Sequence, residues 1–187
     1  MHEEQAPAWV VDPGTPSVAR MYDYYLGGKD NFAADPDNPR SIVIDGDMRE
    51  PESILGHPGV LAHLDFTRPV ALIMLAVLHF VTDDAEAAQL VGAFREPLVP
   101  GSHLVVSHIT QGELDEDAVR RGRDVYTATT AGGIVPRTAA QVRSLLDGLD
   151  VLEPGVVPLH RWRPKTVEVE WNGMPGGDIL GGVGRVT

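Results

Sequence analysis

Cysteine is absent from the 187-residue chain, which excludes disulfide bonds and thiolate-ligated metal sites. Basic residues are scarce as well: 15 lysines and arginines stand against 27 acidic residues, so the net charge is -12. A nucleic-acid-binding protein needs a basic surface that displaces counterions from phosphates. The basic cluster Arg120, Arg121 and Arg123 lies among acidic residues, as is typical of a solvated helix face. We therefore expect no nucleic-acid partner.

Long hydrophobic runs are also missing. The longest, Val70–Val81, is shorter than the roughly 20 residues that a membrane-spanning helix needs, and it is typical of a buried strand. The first residues lack the basic stretch followed by an apolar one that marks a signal peptide. We expect a cytoplasmic protein with no membrane partner. The length and the hydrophobic fraction of 43% indicate one globular domain covering residues 1–187.

Strand-like and helix-like segments alternate along most of the chain. Helical spacing predicts a first helix at 17–26, ending at Gly27-Gly28. Strands are predicted at 41–47, 102–109 and 181–187 and within 150–162, and the stretch 68–81 is predicted to be a strand, buried on both faces, that runs into a loop. Further helices are predicted at 83–98, 113–129 and 138–149. The alternation indicates an α/β fold with a mostly parallel sheet covered on both faces. A short link between the last two strands allows them to pair antiparallel at the edge.

Two predicted strand ends carry candidate ligand-binding residues, because open α/β sheets bind ligands beyond the carboxyl ends of their strands. Asp45, Gly46 and Asp47 end the predicted strand at 41–47, and residues 76–79 lie where the next strand runs into a loop. A carboxylate in that place can accept hydrogen bonds from a ribose or an amine. Equally, the two aspartates can form a turn that caps the next helix. A histidine at such a strand exit, as at position 79, can be a packed residue rather than a base.

Motifs of several enzyme classes are absent from the sequence. There is no HExxH pair for a helical metal site and no GxSxG nucleophile turn. The stretch YYLGGKDNF, 24–32, follows a helix and lacks the Ser/Thr of a phosphate loop. The glycines at 181–184 lack the strand and helix that flank a dinucleotide fingerprint. Metal catalysis, covalent hydrolysis and nicotinamide chemistry are therefore unsupported. The glycines of YYLGGKDNF fit a helix end, but the aromatic and charged residues around them suggest that this stretch covers something.

Several stretches taken together resemble a known family. They are PSVARMYDYYLGGKDNFAAD, DGDMREPESIL, RPVALIMLAVLHFV, PGSHLVVSH and EPGVVPLHRWRP. These look like the actinobacterial S-adenosylmethionine-dependent methyltransferases long catalogued as a domain of unknown function, and the resemblance runs from about Thr15 to Gly184. It implies a Rossmann-like class I methyltransferase fold, a three-layer α/β sandwich with one antiparallel strand near the edge of the sheet. It also implies S-adenosylmethionine as the cofactor and a small-molecule acceptor.

The resemblance assigns roles to residues at both strand ends. Asp47 would accept a hydrogen bond from the adenine amine, and the backbone N–H of Met48 would face the ring. Ala76, Val77 and His79 would line the methionine and sulfonium side of the cofactor. The resemblance does not assign a catalytic residue, although a base such as His79 would suit some acceptors.

The N-terminal helix and lid, residues 15–35, would close over the mouth of the pocket. The residues of this segment expected to face the cofactor are Gly27, Gly28, Lys29, Asn31 and Phe32. Those expected to face the substrate are Arg20, Tyr22, Asp23 and Tyr24, and Tyr22 is a second candidate base.

The chain departs from the family between residues 35 and 41. The family carries its first two strands there, with the glycine-rich loop that cradles the methionine part of the cofactor and the acidic residue that binds the ribose. Either this internal segment is left out of the sequence or it is deleted from the protein. The first explanation is favoured, because a strand as apolar as 70–78 requires neighbours on both edges. The sheet domain would then comprise residues 41–187.

Two functions remain open. One is methyl transfer from S-adenosylmethionine to a small molecule. The other is a catalytically inactive ligand-binding or interaction module that retains the fold, and the absence of the glycine-rich loop favours it. The sequence does not predict the oligomeric state.

Overall fold

The computed structural model describes residues 42–110, 133–163 and 178–187, together with the isolated positions Asp117, Arg120 and Asp124. These three positions are helical, as predicted for 113–129, and Arg120 and Asp117 form an exposed ion pair of 2.7 Å. The predicted helix at 17–26, the lid at 15–35 and the peptide from 35 to 41 lie outside the described residues.

Helices and strands alternate within the described ranges. The helices are α1 (Pro51–Leu55), α2 (Pro58–His63), α3 (Asp84–Arg95) and α4 (Ala139–Ser144), with short 3-10 turns at Leu78–Phe80 and Leu159–Arg161. The strands are β1 (Ala71–Leu75), β2 (His103–Ile109), β3 (Asp150–Val151), β4 (Val157–Pro158) and β5 (Ile179–Arg185).

The five described strands form one sheet in the order β1-β2-β5-β3, with β4 also paired to β5. Strand β1 runs parallel to β2, whereas β5 runs antiparallel to β2, β3 and β4. All strands except β5 therefore point the same way, which confirms the predicted mostly parallel sheet with an antiparallel strand near the edge. The final strand also pairs antiparallel with the strands of 150–162, as expected.

Helix α3 covers the inner face of the sheet. Its buried residues Ala87, Leu90, Val91 and Phe94 have the i, i+3, i+4, i+7 spacing of one helix face. They share a core cluster with buried residues of β1 and β2. The carboxylate of Asp83 caps the helix by accepting from the backbone N–H of Glu86 at 2.8 Å. Each fully buried Leu or Val side chain of this core contributes about 1.5–3 kcal/mol.

Helix α4 begins as predicted but ends earlier. Thr138 and Gln141 form a reciprocal capping box at its start. The prediction that the helix continues to Leu149 was wrong, because it ends at Ser144 and tightens into i to i+3 turns. Gly148, with a φ of +78°, completes the reversal that leads into β3.

The glycines of β5 allow other parts of the chain to lie directly against the sheet. A Cβ atom at Gly184 would come within 2.7 Å of Leu149 Cδ1 and 2.9 Å of Leu149 Cβ. At Gly182 it would meet Val156 Cγ2 at 2.8 Å. The glycine-rich sequence at the end of the chain is therefore a packing requirement of the sheet.

Two strand predictions were wrong. Residues 42–46 form no strand, and Val43 is 63% exposed, because no described strand lies beside this segment to complete a ladder. The apolar stretch 68–81 was predicted to be buried on both faces. In the structure only 71–75 is a strand, and Ile73 and Leu75 are more than half exposed, because β1 forms an edge of the described sheet.

We predict that Gly184→Ala destabilises the protein by about 1–3 kcal/mol, because the backbone of Leu149 must shift to admit the methyl group. Gly92→Ala is the matched control: Gly92 lies on the exposed side of α3 with nothing within 4 Å of an added Cβ. That substitution should stabilise the protein by about 0.5–1 kcal/mol. Urea unfolding of both variants measures the difference. Equal effects of the two substitutions would contradict the close packing at β5.

Candidate functional site

The chain turns sharply where β1 ends. Ala76 has a φ of +55°, in the left-handed region that residues with a side chain rarely adopt. Its backbone N–H donates to Oγ of Ser107 at 2.9 Å, so a hydroxyl of β2 holds the turn where the strand ladder stops. Such strained positions persist only when their surroundings fix them, and they cluster at functional sites.

The turn divides the strand-end residues between the surface and the core. Ala76 and Val77 are half-buried, whereas Leu78 and His79 are fully buried in the following 3-10 turn. The backbone oxygen of His79 accepts a hydrogen bond from the N–H of Val135 at 2.9 Å. The two aliphatic residues can therefore face a ligand, while His79 supports the loop from beneath.

Arg137 holds this loop in place although it is only 2% exposed. All five of its guanidinium N–H groups donate, at 2.8–3.3 Å, to the backbone oxygens of Leu78, Val81 and Asp83, to Oδ1 of Asp84 and to Nε2 of His108. Its own backbone N–H donates to the oxygen of Ile109. One side chain thus connects the end of β2, the loop after β1 and the first turn of α3. Arg137 was not predicted as a functional residue, because nothing in the stretch VPRTAA marks this arginine as buried.

The bond to Arg137 also fixes the protonation of His108. A guanidinium can only donate, so Nε2 of His108 must accept, and its Nδ1–H donates to the oxygen of Ile109 at 2.8 Å. Burial is the largest cause that lowers the pKa of His108 to about 4, and the charge of Arg137 lowers it further. Arg137 also holds the pKa of the Asp84 carboxyl below its ordinary value through their hydrogen bond.

His79 lies beside His108, with ring centroids 5.6 Å apart. Burial, followed by the charges of His108 and Arg137, lowers the pKa of His79 to about 3. A group with this pKa is a weak base near neutral pH, so the structure does not favour His79 as a general base. The alternative interpretation of His79 as a packed residue agrees with its burial.

Asp47 forms a turn, as the second of its two alternatives predicted, but it does not cap the next helix: the N-cap residue of α1 is Glu50, and no side chain caps that helix. Its Oδ1 accepts from the backbone N–H of Arg49 at 2.9 Å and lies 3.7 Å from the Arg49 guanidinium, while its backbone oxygen accepts from the N–H of Glu50. The side chain is 53% exposed, and neither side-chain contact uses Oδ2. The neighbouring Met48 packs against the core cluster and anchors the turn.

The structure thus places three predicted site residues in one loop and two in a separate turn. Ala76, Val77 and His79 follow β1, and Asp47 and Met48 precede α1. The remaining predicted residues lie outside the described ranges: Arg20, Tyr22, Asp23, Tyr24, Gly27, Gly28, Lys29, Asn31 and Phe32.

Other kinds of site find no support in the described residues. No cluster of three or more potential metal ligands occurs among them, and no helix there is long and apolar enough to cross a membrane. An open concavity at residues 61–67 contains none of the predicted site residues. The loop after β1 is therefore the better candidate, since it lies at the carboxyl end of a parallel strand.

Comparisons with known proteins agree with this fold. The model of a family described as S-adenosyl methyltransferase matches the chain in two parts, residues 4–42 and 36–187. A DUF574 family protein from Streptomyces avermitilis is 33% identical with a TM-score of 0.69, and the match covers 77% of this chain and 54% of that one. A protein from Thermobifida fusca that is provisionally assigned as a methyltransferase is 30% identical with a TM-score of 0.71, covering 81% and 56%. No curated protein matches the chain.

These matches confirm the predicted Rossmann-like class I methyltransferase fold. The chain spans about half the length of the two solved relatives.

We predict that Arg137→Met destabilises the protein by about 3–5 kcal/mol, because buried carbonyl oxygens and Nε2 of His108 lose their donor. The matched control is Arg143→Met, which removes an exposed ion pair with Asp147 and should change the stability by less than about 0.5 kcal/mol. Urea unfolding measures both free energies. A small loss in Arg137→Met would show that the guanidinium does not hold the loop.

We further predict that stability falls as the pH is lowered from about 6.5 towards 4. The pKa values of His79 and His108 are lowered in the folded protein, so in this window the unfolded chain binds protons that the folded chain does not. Each histidine then contributes a slope of up to about 1.4 kcal/mol per pH unit.

The variant His108→Gln tests this origin, because glutamine can still accept from Arg137 but does not titrate. The slope of its unfolding free energy against pH should be smaller than that of the parent protein, by up to about 1.4 kcal/mol per pH unit, because unfolding takes up one proton fewer. The control is His63→Gln at the exposed end of α2, which should retain the slope of the parent protein. An unchanged slope in His108→Gln would contradict the assignment.

Proposed function

Because the chain belongs to the S-adenosyl methyltransferase family, we propose that it transfers a methyl group from S-adenosylmethionine to a small-molecule acceptor. The observation that carries the proposal is the strained turn at Ala76, which follows a parallel strand and is held by Ser107 of the next one. Ligands of open α/β sheets bind at this end of the strands.

Two described features suit the cofactor. Ala76 and Val77 offer a half-buried apolar surface, which fits the methionine and sulfonium part. Asp47 has a carboxylate oxygen outside its turn contacts that can accept from the adenine amine, and Met48 fixes that turn against the core. The glycines and polar residues of 20–32 would complete the pocket from above, as the family resemblance implies.

The bound cofactor would supply an electrophilic methyl group on sulfur, so the protein has mainly to position the acceptor in line with it. Ala76 and Val77 would exclude water on the sulfonium side. His79 remains neutral and supports the loop. Where the acceptor must lose a proton, Tyr22 or a group of the acceptor itself would take it. We assign no catalytic residue.

The second candidate function is an inactive ligand-binding or interaction module. It is favoured by the lack of the glycine-rich loop and by the edge position of β1, where the described sheet stops.

The two-part family match, with parts that overlap at residues 36–42, supports our proposal that a segment carrying the first two strands of the family is absent between residues 35 and 41.

Calorimetric titration with S-adenosylhomocysteine separates the two functions. We predict micromolar binding by the full chain and a roughly 10- to 100-fold loss in Asp47→Ala, because a hydrogen bond to a charged group contributes about 1.5–3 kcal/mol. The matched control is Asp45→Ala, an exposed aspartate two residues away, which should bind like the parent protein.

The possible results point to different conclusions. No heat of binding with the parent chain would exclude the methyltransferase and favour the module. Equal losses in both aspartate variants would contradict the specific role of Asp47 without excluding the cofactor.

A further inference from the structure

Two buried serines connect β2 to the two ends of β1. Ser102 directly precedes β2 and is fully buried, and Ser107 lies near the end of β2 and is 4% exposed. Oγ of Ser102 accepts from the backbone N–H of Val70, just before β1, at 3.2 Å. Oγ of Ser107 accepts from the N–H of Ala76, just after β1, at 2.9 Å. The two bonds are of the same chemical kind, so the two ends of β1 can be compared directly.

Of these two bonds, the one to Ser107 holds a strained residue. The ladder between β1 and β2 ends where Leu75 lies beside Ser107. The next residue, Ala76, has a φ of +55°, whereas the φ of Val70 is not positive. A left-handed backbone costs a residue with a Cβ atom about as much as one neutral hydrogen bond contributes. Without the hydroxyl, extended and right-handed conformations of Ala76 would therefore compete with the left-handed one.

The strained residue lies at the ligand-binding end of the sheet. Because β1 and β2 are parallel, Ala76 and Ser107 both lie towards the carboxyl ends of their strands. Ser102 lies at the other end of β2, five residues and about 16 Å away along the strand. Ala76 contributes to the half-buried apolar surface that suits the sulfonium side of the cofactor. The backbone conformation of Ala76 therefore controls how that surface is presented to a ligand.

We propose that Ser107 is a positioning residue for the cofactor: its hydroxyl keeps Ala76 in the left-handed conformation in which the loop after β1 binds S-adenosylmethionine. This inference rests on the proposed function. The apparent affinity of a ligand is its intrinsic affinity multiplied by the fraction of molecules in the binding conformation. Ser107 raises that fraction through the N–H of Ala76, so it increases the affinity without touching the ligand.

Arg137 does not replace Ser107 in this role. Its guanidinium holds the later part of the loop, through the backbone oxygens of Leu78 and Val81. A guanidinium only donates hydrogen bonds, so it offers no acceptor to the N–H of Ala76. Loss of the Ser107 hydroxyl should therefore loosen the first residue of the loop and leave the contacts of Arg137 in place.

The test is calorimetric titration of the full chain with S-adenosylhomocysteine. Ser107→Ala should weaken binding roughly 3- to 10-fold, which is the range expected for the loss of one neutral hydrogen bond. The matched control is Ser102→Ala, which removes the same kind of bond at the opposite end of β1 and should bind like the parent protein. Urea unfolding should show similar losses of stability in the two variants. An unchanged affinity in Ser107→Ala, or equal losses of affinity in both variants, would overturn the inference.

A second substitution tests whether Ser107 acts through the backbone of Ala76. Glycine adopts a positive φ without the cost of a Cβ atom, so the hydroxyl should matter less when residue 76 is glycine. In the Ala76→Gly background, adding Ser107→Ala should weaken binding by about 2-fold or less. An undiminished loss in this background would show that Ser107 does not act by holding the left-handed turn, and would overturn the inference.

Failure of this inference is distinguishable from failure of the proposed function. A parent chain that does not bind S-adenosylhomocysteine would overturn both. A parent chain that binds it, together with an unchanged affinity in Ser107→Ala, would overturn this inference alone. If Ser107→Ala does not fold, Ser107→Cys replaces it, because a thiol is similar in size to the hydroxyl but accepts hydrogen bonds only weakly. Ser107→Cys should bind less tightly than the parent protein, and an unchanged affinity would again contradict the role of Ser107.

Discussion

The structure depends most on the guanidinium of Arg137. Burying this charge costs several kcal/mol, and the cost is offset only because all five N–H groups find acceptors. Those acceptors belong to three different parts of the chain, so the same contacts set the course of the loop after β1 and the start of α3. Burial, reinforced by the charge of Arg137, lowers the pKa values of the neighbouring His79 and His108. The candidate site is consequently a loop held from the core side, in which Ala76 and Val77 are half-buried and Leu78 and His79 are fully buried.

The second constraint is the size of the sheet. The chain has the fold of its solved relatives but spans about half their length, and the described sheet ends at β1. An apolar strand at an edge leaves backbone groups and side chains uncovered, which is costly unless another strand joins. The open edge and the candidate cofactor site lie on the same strand. Whether another strand lies beside β1 therefore bears on how well the protein can hold a cofactor.

Sequence reasoning succeeded where local patterns decide the outcome. The capped helix α3, the strand β2 and the glycine-rich β5 follow from periodicity, capping residues and turn formers. It failed for residues 42–46 and for the burial of Ile73, because both depend on whether a neighbouring strand exists. The early end of α4 has a related cause, since the tightened turns after Ser144 place Leu145, Leu146 and Leu149 in the core. The site followed the same division: the strand-end position of Ala76 was predictable, but its left-handed backbone was not.

The sequence by itself determined the α/β class, the absence of thiol chemistry and the family, because composition, hydrophobic period and the distinctive stretches are properties of the chain alone. Only the tertiary structure decided that Arg137 is buried, that the pKa of His79 is lowered and that β1 is the edge of the described sheet. These depend on residues far apart in sequence: Arg137 reaches Leu78 across 59 positions and His108 across 29. The burial of Arg137 and the place of β1 in the sheet therefore depend on the neighbours that folding brings to them.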